Sequence, residues 1–534
     1  MKTFKITLLA LAVLILPSAV YAADDTKVLQ SLLTKHKFTG QIELTLEKQL
    51  GRPIDSSRVD LGRNVFFDKG LGLHKSNSCA GCHSPTAGYG DTQSIAIGIQ
   101  NNDIVGPDRK GPRNQRRTPS IINTAFYPVL MWNGRFSSAS GSPFDNSKGY
   151  IFPDPEGLGT FPASDSRFKH LLAAQGHIPF TELPEMAGFT GASSTGVPFC
   201  QFILPKAAPS PLRVASLSAL AVKQKLFSAS DAPDFCQFDD GQGTSLPKKY
   251  PDSDYLNAPI RHTVLSEINQ IEGYRSAFGA IYPSVKSGNA IEFWMIGEVL
   301  AEFQIAQTYA NAPIDKFAKG ELSALSPEAK KGAIIFFSNK GNCIACHSVK
   351  GKSNEMFSNF EMHNAGVPQI APIFGKGSGN VPFRDETGVP SKTGFSDLGL
   401  WEFSNKNGDQ FKFRTTPLRN IALQPTYFHN GSFTRLRDAL VYHIDTVRQA
   451  KAYDPVKAGV ALDLKKAVGS SDKVLSTLDP KLVKPLGLTP AEIDALVAFL
   501  NDGLLDQRAK ADNLMKQIPA SLPSGSKPHT FQKP

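Results

Sequence analysis

The pentapeptide Cys79-Ala80-Gly81-Cys82-His83, echoed as Cys343-Ile344-Ala345-Cys346-His347, constrains this chain more than any other stretch. Two thiols two residues apart can each form a thioether with a porphyrin vinyl group, and the histidine that follows is then held under the iron. A bare Cys-x-x-Cys also serves as a redox dithiol or half a zinc site. The histidine directly after the second cysteine, seen twice, argues instead for two covalent c-type haems on His83 and His347. What the protein does then turns on the far face of each iron. An electron carrier fills that position with Met or His; a catalyst leaves it vacant.

The chain opens Met1-Lys2-Thr3-Phe4-Lys5, runs through an apolar stretch from Ile6 to Pro17, and reaches Ala19-Val20-Tyr21-Ala22. This pattern predicts a secretory signal peptide over residues 1–22, cut after Ala22. The apolar run is short for a membrane anchor, and no later stretch predicts a membrane span. The mature protein is therefore expected in the periplasm, where c-type haem is attached. The formal charge of +10 falls to +8 when Lys2 and Lys5 leave with the signal peptide, and haem propionates lower it further. No Lys/Arg stripe interleaved with aromatics is present, so no nucleic-acid partner is expected. A mildly basic face still suits an acidic redox partner. The two remaining cysteines, Cys200 and Cys236, are expected to form a disulfide in an oxidising compartment, inert buried thiols being the alternative.

Residues 23–60 read as a polar, partly helical lead-in, and Leu61 to Asp68 have helical spacing before the first haem motif. Thr118-Pro119 predicts a helix start carrying Ile121, Ile122 and Phe126. Residues 285–310 read as an amphipathic helix, Ser326-Pro327-Glu328 as the start of the helix entering the second haem motif, and Thr489 to Glu492 as a capping box. The segment 190–260, rich in Pro, Ser and Gly, reads as an insertion; beyond about 510 the chain is polar and expected to be loosely held.

The order Leu61-Gly62-Arg63…Phe66-Phe67-Asp68, Cys-x-x-Cys-His, Arg116-Arg117-Thr118-Pro119 and Met131-Trp132-Asn133-Gly134-Arg135 resembles the bacterial dihaem cytochrome c peroxidase family with its MauG-type relatives. The second half agrees through Lys331 to Phe337, Arg414 to Asn420 and Tyr427 to Ser432. The resemblance implies a mainly α fold of two cytochrome c-like haem domains in tandem. We expect a peroxidatic domain over 23–315, an electron-transfer domain over 316–510 and a polar tail over 511–534.

The family's distal acid/base Glu corresponds to Glu185, and its distal Gln to Gln175; on composition alone either would be a surface residue. Met186 is an alternative iron ligand. Ile99 stands where many members have a histidine that blocks the first iron until reduction, leaving that iron open; His74, His170 and His177 could substitute. Trp132 matches the family's tryptophan between the haems, and Arg135 is a propionate partner or a structural salt bridge. At the second haem, Leu436, Ala439, Leu440 and His443 share one helix face, where a histidine is by itself more often a core residue than a ligand. The stripe follows the motif containing His429, where the peroxidases place Met and the MauG-type enzymes Tyr, so the resemblance implies His443 as the sixth ligand, with Met356 and Met362 as rivals. His429 and His363 read as propionate or backbone partners. The family often binds calcium between the domains through an Asn that corresponds here to Arg117, which cannot coordinate a cation. Calcium is left open, and the guanidinium itself is a candidate occupant.

These readings predict a periplasmic enzyme that reduces hydrogen peroxide with electrons from a small cytochrome or cupredoxin. A MauG-type enzyme oxidising residues of a substrate protein, and a dihaem electron carrier without catalysis, are the alternatives. The oligomeric state is open, with room for a homodimer.

Overall fold

The protein, seen in a computed structural model, is described over residues 18–533 apart from 73–74, 100, 112, 153–158, 183–184, 187–257, 371–395, 405 and 466–468. The core of the signal peptide, His74, and the Cys200 and Cys236 pair lie outside the described residues. The architecture is mainly helical. Its principal helices are α1 (Ser18–Lys35), α2 (Ser56–Phe67), α3 (Leu171–Gln175), α4 (Phe293–Ala306), α5 (Pro327–Phe337), α6 (Leu436–Ile444) and α7 (Pro490–Ala498).

Each haem motif is delivered by a helix that crosses another at a glycine. Helix α2 starts where the Asp55 carboxylate accepts the N–H groups of Ser57 and Arg58. It buries Leu61, Val65, Phe66 and Phe67 and crosses α4 at Gly62, where a Cβ would stand 1.9 Å from the Val299 carbonyl oxygen. In the second half, α5 starts at the expected Ser326 cap and crosses α7 at Gly332, where a Cβ would stand 2.0 Å from the Ala495 carbonyl oxygen. Helix α7 opens with the expected Thr489–Glu492 capping box. Both glycines precede a phenylalanine pair by the same interval: Gly62 before Phe66-Phe67, Gly332 before Phe336-Phe337. The internal repeat thus extends beyond the haem motifs to the packing that supports them.

Two expectations are revised by tertiary context. Helix α4 is buried on nearly every side rather than amphipathic, because α2 and α3 both pack against it. No helix follows Thr118-Pro119. The Thr118 N–H goes to the Asp91 carboxylate and that of Ile121 to the Tyr89 carbonyl; Asn123 adopts a left-handed conformation (φ +63°), and only a short 3-10 turn, Thr124–Phe126, follows. Beyond it, β2 (Val129–Leu130), β3 (Phe136–Ser138), β4 (Tyr150–Phe152) and β5 (Gly159–Phe161), numbered after β1 (Ile104–Val105), form a four-stranded antiparallel sheet.

The chain ends are exchanged between the two halves. Leu29 and Leu33 of α1 join the core around Phe336, Phe337 and Phe499 in the second half. The segment beyond 510 is not loosely held: Leu514 and Leu522 enter the first core, and Thr530–Phe531 pairs in parallel with β1. Two buried leucines and a strand ladder outweigh a composition that reads as polar.

Candidate functional site

The first haem motif forms one wall of a cavity of about 190 Å³ whose lining includes Cys79, Cys82 and His83. His83 is oriented from behind: its Nδ1 lies 3.2 Å from the Tyr89 carbonyl oxygen, which leaves Nε2 for a metal. Phe66 packs against its ring at a centroid distance of 6.2 Å. The second motif repeats this arrangement, with His347 Nδ1 3.0 Å from the Phe357 carbonyl and Phe336 at 6.4 Å.

The other side of the first cavity brings together Gln175, at the end of α3, with Glu185, Met186, Trp132 and Arg135. The backbone around Glu185 is fixed at both ends. The N–H groups of Glu185 and Met186 donate to the Glu182 carbonyl at 3.2 and 3.0 Å, and Asn77 Nδ2 donates to the Glu185 carbonyl at 2.8 Å. Asn77 in turn accepts from the buried Arg109 at 2.9 Å. Burial, reinforced by the charge on Glu182, pushes the Glu185 carboxyl up to about 8, against the opposing pull of Arg135 and Asn114. Arg135 itself pairs with Glu182 at 2.6 Å, the salt-bridge alternative from the sequence.

Of the candidates for blocking the first iron, the described histidines sit elsewhere, while Met186 lines the cavity. Ile99 is fully enclosed in the first core. Both ring nitrogens of His170 are engaged, Nε2 by the Ala125 carbonyl and Nδ1 by the Leu172 N–H. His177 is packed among Phe161, Phe168 and Phe293 with Nδ1 on the Ala173 carbonyl. Among the described residues, no histidine faces His83.

The second motif differs. His443, on α6 as expected, faces His347 with ring centroids 6.4 Å apart. Metal–imidazole distances of about 2 Å on each side would fill that gap with one ion. His443 Nδ1 is buried without a protein partner, and burial keeps its imidazole neutral, the form that ligates metal. Met356 lies in the separate core that includes Phe126 and Phe360. Met362, on β6 (Met362–His363), packs against Gly134. His363 pairs with Asp479 at 2.6 Å, and His429 stacks on Phe413 with its Nε2 3.8 Å from Asp397 and without a hydrogen-bond partner, so only His363 is engaged by a carboxylate.

Between the two motifs lies a reciprocal contact. The Arg117 N–H donates to the His429 carbonyl at 2.8 Å, and the Arg414 N–H to the Trp132 carbonyl at 2.7 Å. Trp132 Nε1 donates to the Arg117 carbonyl at 2.6 Å, so the tryptophan is clamped by both halves. Arg117 and Arg414 hold matching places in Arg-Thr-Pro-Ser-Ile-Ile-Asn and Arg-Thr-Thr-Pro-Leu-Arg-Asn. Both are buried and line the cavity. Arg117 reaches only Gln424 with one nitrogen while its Nε is unpartnered; Arg414 Nη1 is likewise unpartnered. Burial lowers both to about 10, and no described carboxylate pairs with either. Buried cations without counter-ions suit the propionates of a haem. With the paired cysteines, the backed histidines and the His347–His443 gap, the residues present fit two haems. No cluster of three or more His, Cys, Asp or Glu suited to a metal ion occurs among the described residues. The Arg117 guanidinium, bonded to Gln424, occupies its own place between the halves.

The sequence offered no signal for Glu182, Asn77 or Arg109. Arg117 and Arg414 each stood in a stretch that resembles the family, but only the fold brings them to one cavity.

The family model for di-haem cytochrome c peroxidase matches residues 56–197. The chain is 23% identical over 435 residues to cytochrome-c peroxidase IdrP2 of Denitromonas iodatirespirans, covering 81% of this chain and 84% of that protein. It is 22% identical over 395 residues to the methylamine utilization protein MauG of Methylophilus methylotrophus, covering 74% of each. It is 26% identical over 390 residues to the cytochrome c551 peroxidase of Pseudomonas aeruginosa, covering 73% and 72%. With two backed Cys-x-x-Cys-His motifs and the supporting repeat, these similarities support the di-haem cytochrome c peroxidase and MauG family of oxidoreductases as the relatives of this chain.

Proposed function

We propose that this chain is a periplasmic dihaem peroxidase that reduces hydrogen peroxide at the centre carried by His83, with electrons supplied by an external redox protein. The observation that carries this reading is the asymmetry of the two motifs. His347 has a histidine opposite it; His83 has a cavity bearing a carboxyl group and an amide. When bound, the haems supply an electrophilic iron for peroxide and a store of oxidising equivalents.

In this reading Cys79, Cys82 and His83 hold one haem, and Cys343, Cys346, His347 and His443 hold the other, with Arg117 and Arg414 as propionate partners. Glu185 takes a proton from the inner oxygen of peroxide and returns it to the outer one, which leaves as water. Gln175 orients the peroxide by hydrogen bonding. Trp132, clamped by backbone bonds from both halves, is the relay between the centres. Residues 23–315 and 316–510 act as the two haem domains, each completed by the other's terminal segment. No helix among the described residues is long and apolar enough to cross a membrane.

Mixing the resting, unreduced protein with hydrogen peroxide tests this directly. A fast absorbance change without prior reduction is expected; an absolute requirement for pre-reduction would contradict an open first centre. Ile99 in the core and His443 rather than a methionine opposite His347 favour a second reading, oxidation of residues on a partner protein in the manner of MauG-type relatives. Steady-state turnover with a reduced small cytochrome separates the two: negligible rates select the second.

A further inference from the structure

Asn77 takes no part in the proton transfer just described, yet it is buried and lines the cavity between the first haem motif and the turn that carries Glu185. Its orientation is set by a partner that can only donate. Arg109 Nη2 donates to Asn77 Oδ1 at 2.9 Å, so the other end of the amide is its NH2 group, and this donates to the Glu185 carbonyl at 2.8 Å. Arg109 is fixed in turn: its Nε donates to the Ile97 carbonyl at 2.7 Å and its Nη1 to the Ile104 carbonyl at 2.9 Å. The haem motif passes directly over this pair. A Cβ on Gly81, between the two cysteines, would stand 2.0 Å from Asn77 Oδ1 and 3.1 Å from Arg109 Nη2. One amide therefore touches the attachment loop on one side and holds the Glu185 backbone on the other.

We propose that Asn77, oriented by Arg109, is a positioning residue that sets where Glu185 stands relative to the first haem motif. This rests on the peroxidase reading of the cavity. The N–H groups of Glu185 and Met186 go to the Glu182 carbonyl, so those bonds shape the turn without placing it. The Asn77 bond comes from outside the turn, from the segment that leads into Cys79. Without that donor the Glu185 carbonyl loses its partner and the turn shifts to find another. A displacement of about 1 Å at a reacting group is enough to cost about 10²-fold in rate.

The test uses the haem-loaded full chain. Asn77→Asp keeps the acceptor for Arg109 but removes the donor to Glu185; Asn77→Leu, of similar size, removes both without adding charge. Each should slow the peroxide reaction by about 10- to 10²-fold in stopped flow. In a Glu185→Gln background the same changes should cost less than about twofold, because the group they place is already gone. Asn101→Ala is the control: Asn101 holds the Ser76 and Gly98 carbonyls at 2.8 and 2.7 Å, so its loss loosens the same segment without touching the Glu185 bond, and the rate should stay near wild type. A comparable loss in Asn101→Ala, or an undiminished loss in the Glu185→Gln background, overturns the proposal. Hydrogen exchange reads the tether without turnover: the amides of Glu185 and Met186 should exchange faster in both Asn77 variants. Unmoved exchange in variants of normal circular dichroism and haem content overturns the proposal as well. If Glu185→Gln itself reacts at the wild-type rate, the role of Glu185 fails instead, and the exchange measurement still decides the tether.

Discussion

Replacing Gly62 by alanine perturbs the contact that supports the first haem motif. The added Cβ would stand 1.9 Å from the Val299 carbonyl oxygen and 2.6 Å from its carbon, where contacts under 3.0 Å are essentially never seen. The obstacle is the backbone of α4, which has no rotamer to turn aside, so α2 and α4 must separate by more than about 1 Å and lose dispersion along the crossing. Overpacking of this kind costs about 3 kcal/mol at the upper end of its usual range. Alanine returns about 1 kcal/mol through helix propensity. The net expectation is a loss of about 2 kcal/mol or more, read by urea denaturation of the haem-loaded protein followed at the first haem. Gly332→Ala should do the same to the second half, where the obstacle is the Ala495 carbonyl oxygen at 2.0 Å. Gly408, exposed and with nothing within 4 Å of its would-be Cβ, is the control, and Gly408→Ala should be neutral within about 0.5 kcal/mol. Wild-type stability in both Gly62→Ala and Gly332→Ala would refute the claim that helix crossing is what positions the motifs.

The proton-transfer role of Glu185 predicts that the peroxide reaction accelerates as pH rises and levels off above about 8, since only the carboxylate accepts a proton. Glu185→Gln should lower the rate by about 10²- to 10⁴-fold and abolish that limb in stopped-flow profiles. His443→Ala should remove the ligand facing His347 and turn the second centre high-spin; an unchanged low-spin spectrum would assign the sixth ligand to another residue. Deleting residues 524–534 strips the strand paired with β1 and the His529–Asp103 contact, and should destabilise the first half selectively on thermal melting.

The haem motifs were legible because their chemistry is local: five consecutive residues carry both the attachment points and the proximal ligand. The place of His443 opposite His347 was legible only through the resemblance, since an apolar helix stripe ending on a histidine marks a core residue as readily as a ligand. The helix starts at Ser326 and Thr489 were likewise set by side chains within one turn. Thr118-Pro119 offers the same cap signal, but Asp91, far away in sequence, takes the Thr118 N–H and turns the chain instead. Amphipathicity misjudged α4 because two helices cover it, and polar composition misjudged the C-terminal segment because a strand pairing and two leucines hold it. Glu182, Asn77 and Arg109 meet only through folding. Nothing in their local sequence could have joined them to Glu185.

The account rests on one iron being accessible and the other closed, and low-temperature EPR of the resting ferric protein measures this most directly. The expected spectrum has a high-spin signal from the centre on His83 together with a low-spin bis-histidine signal from His347 and His443. Two low-spin signals and no high-spin component would contradict it, leaving a chain that carries electrons and no site at which peroxide could bind.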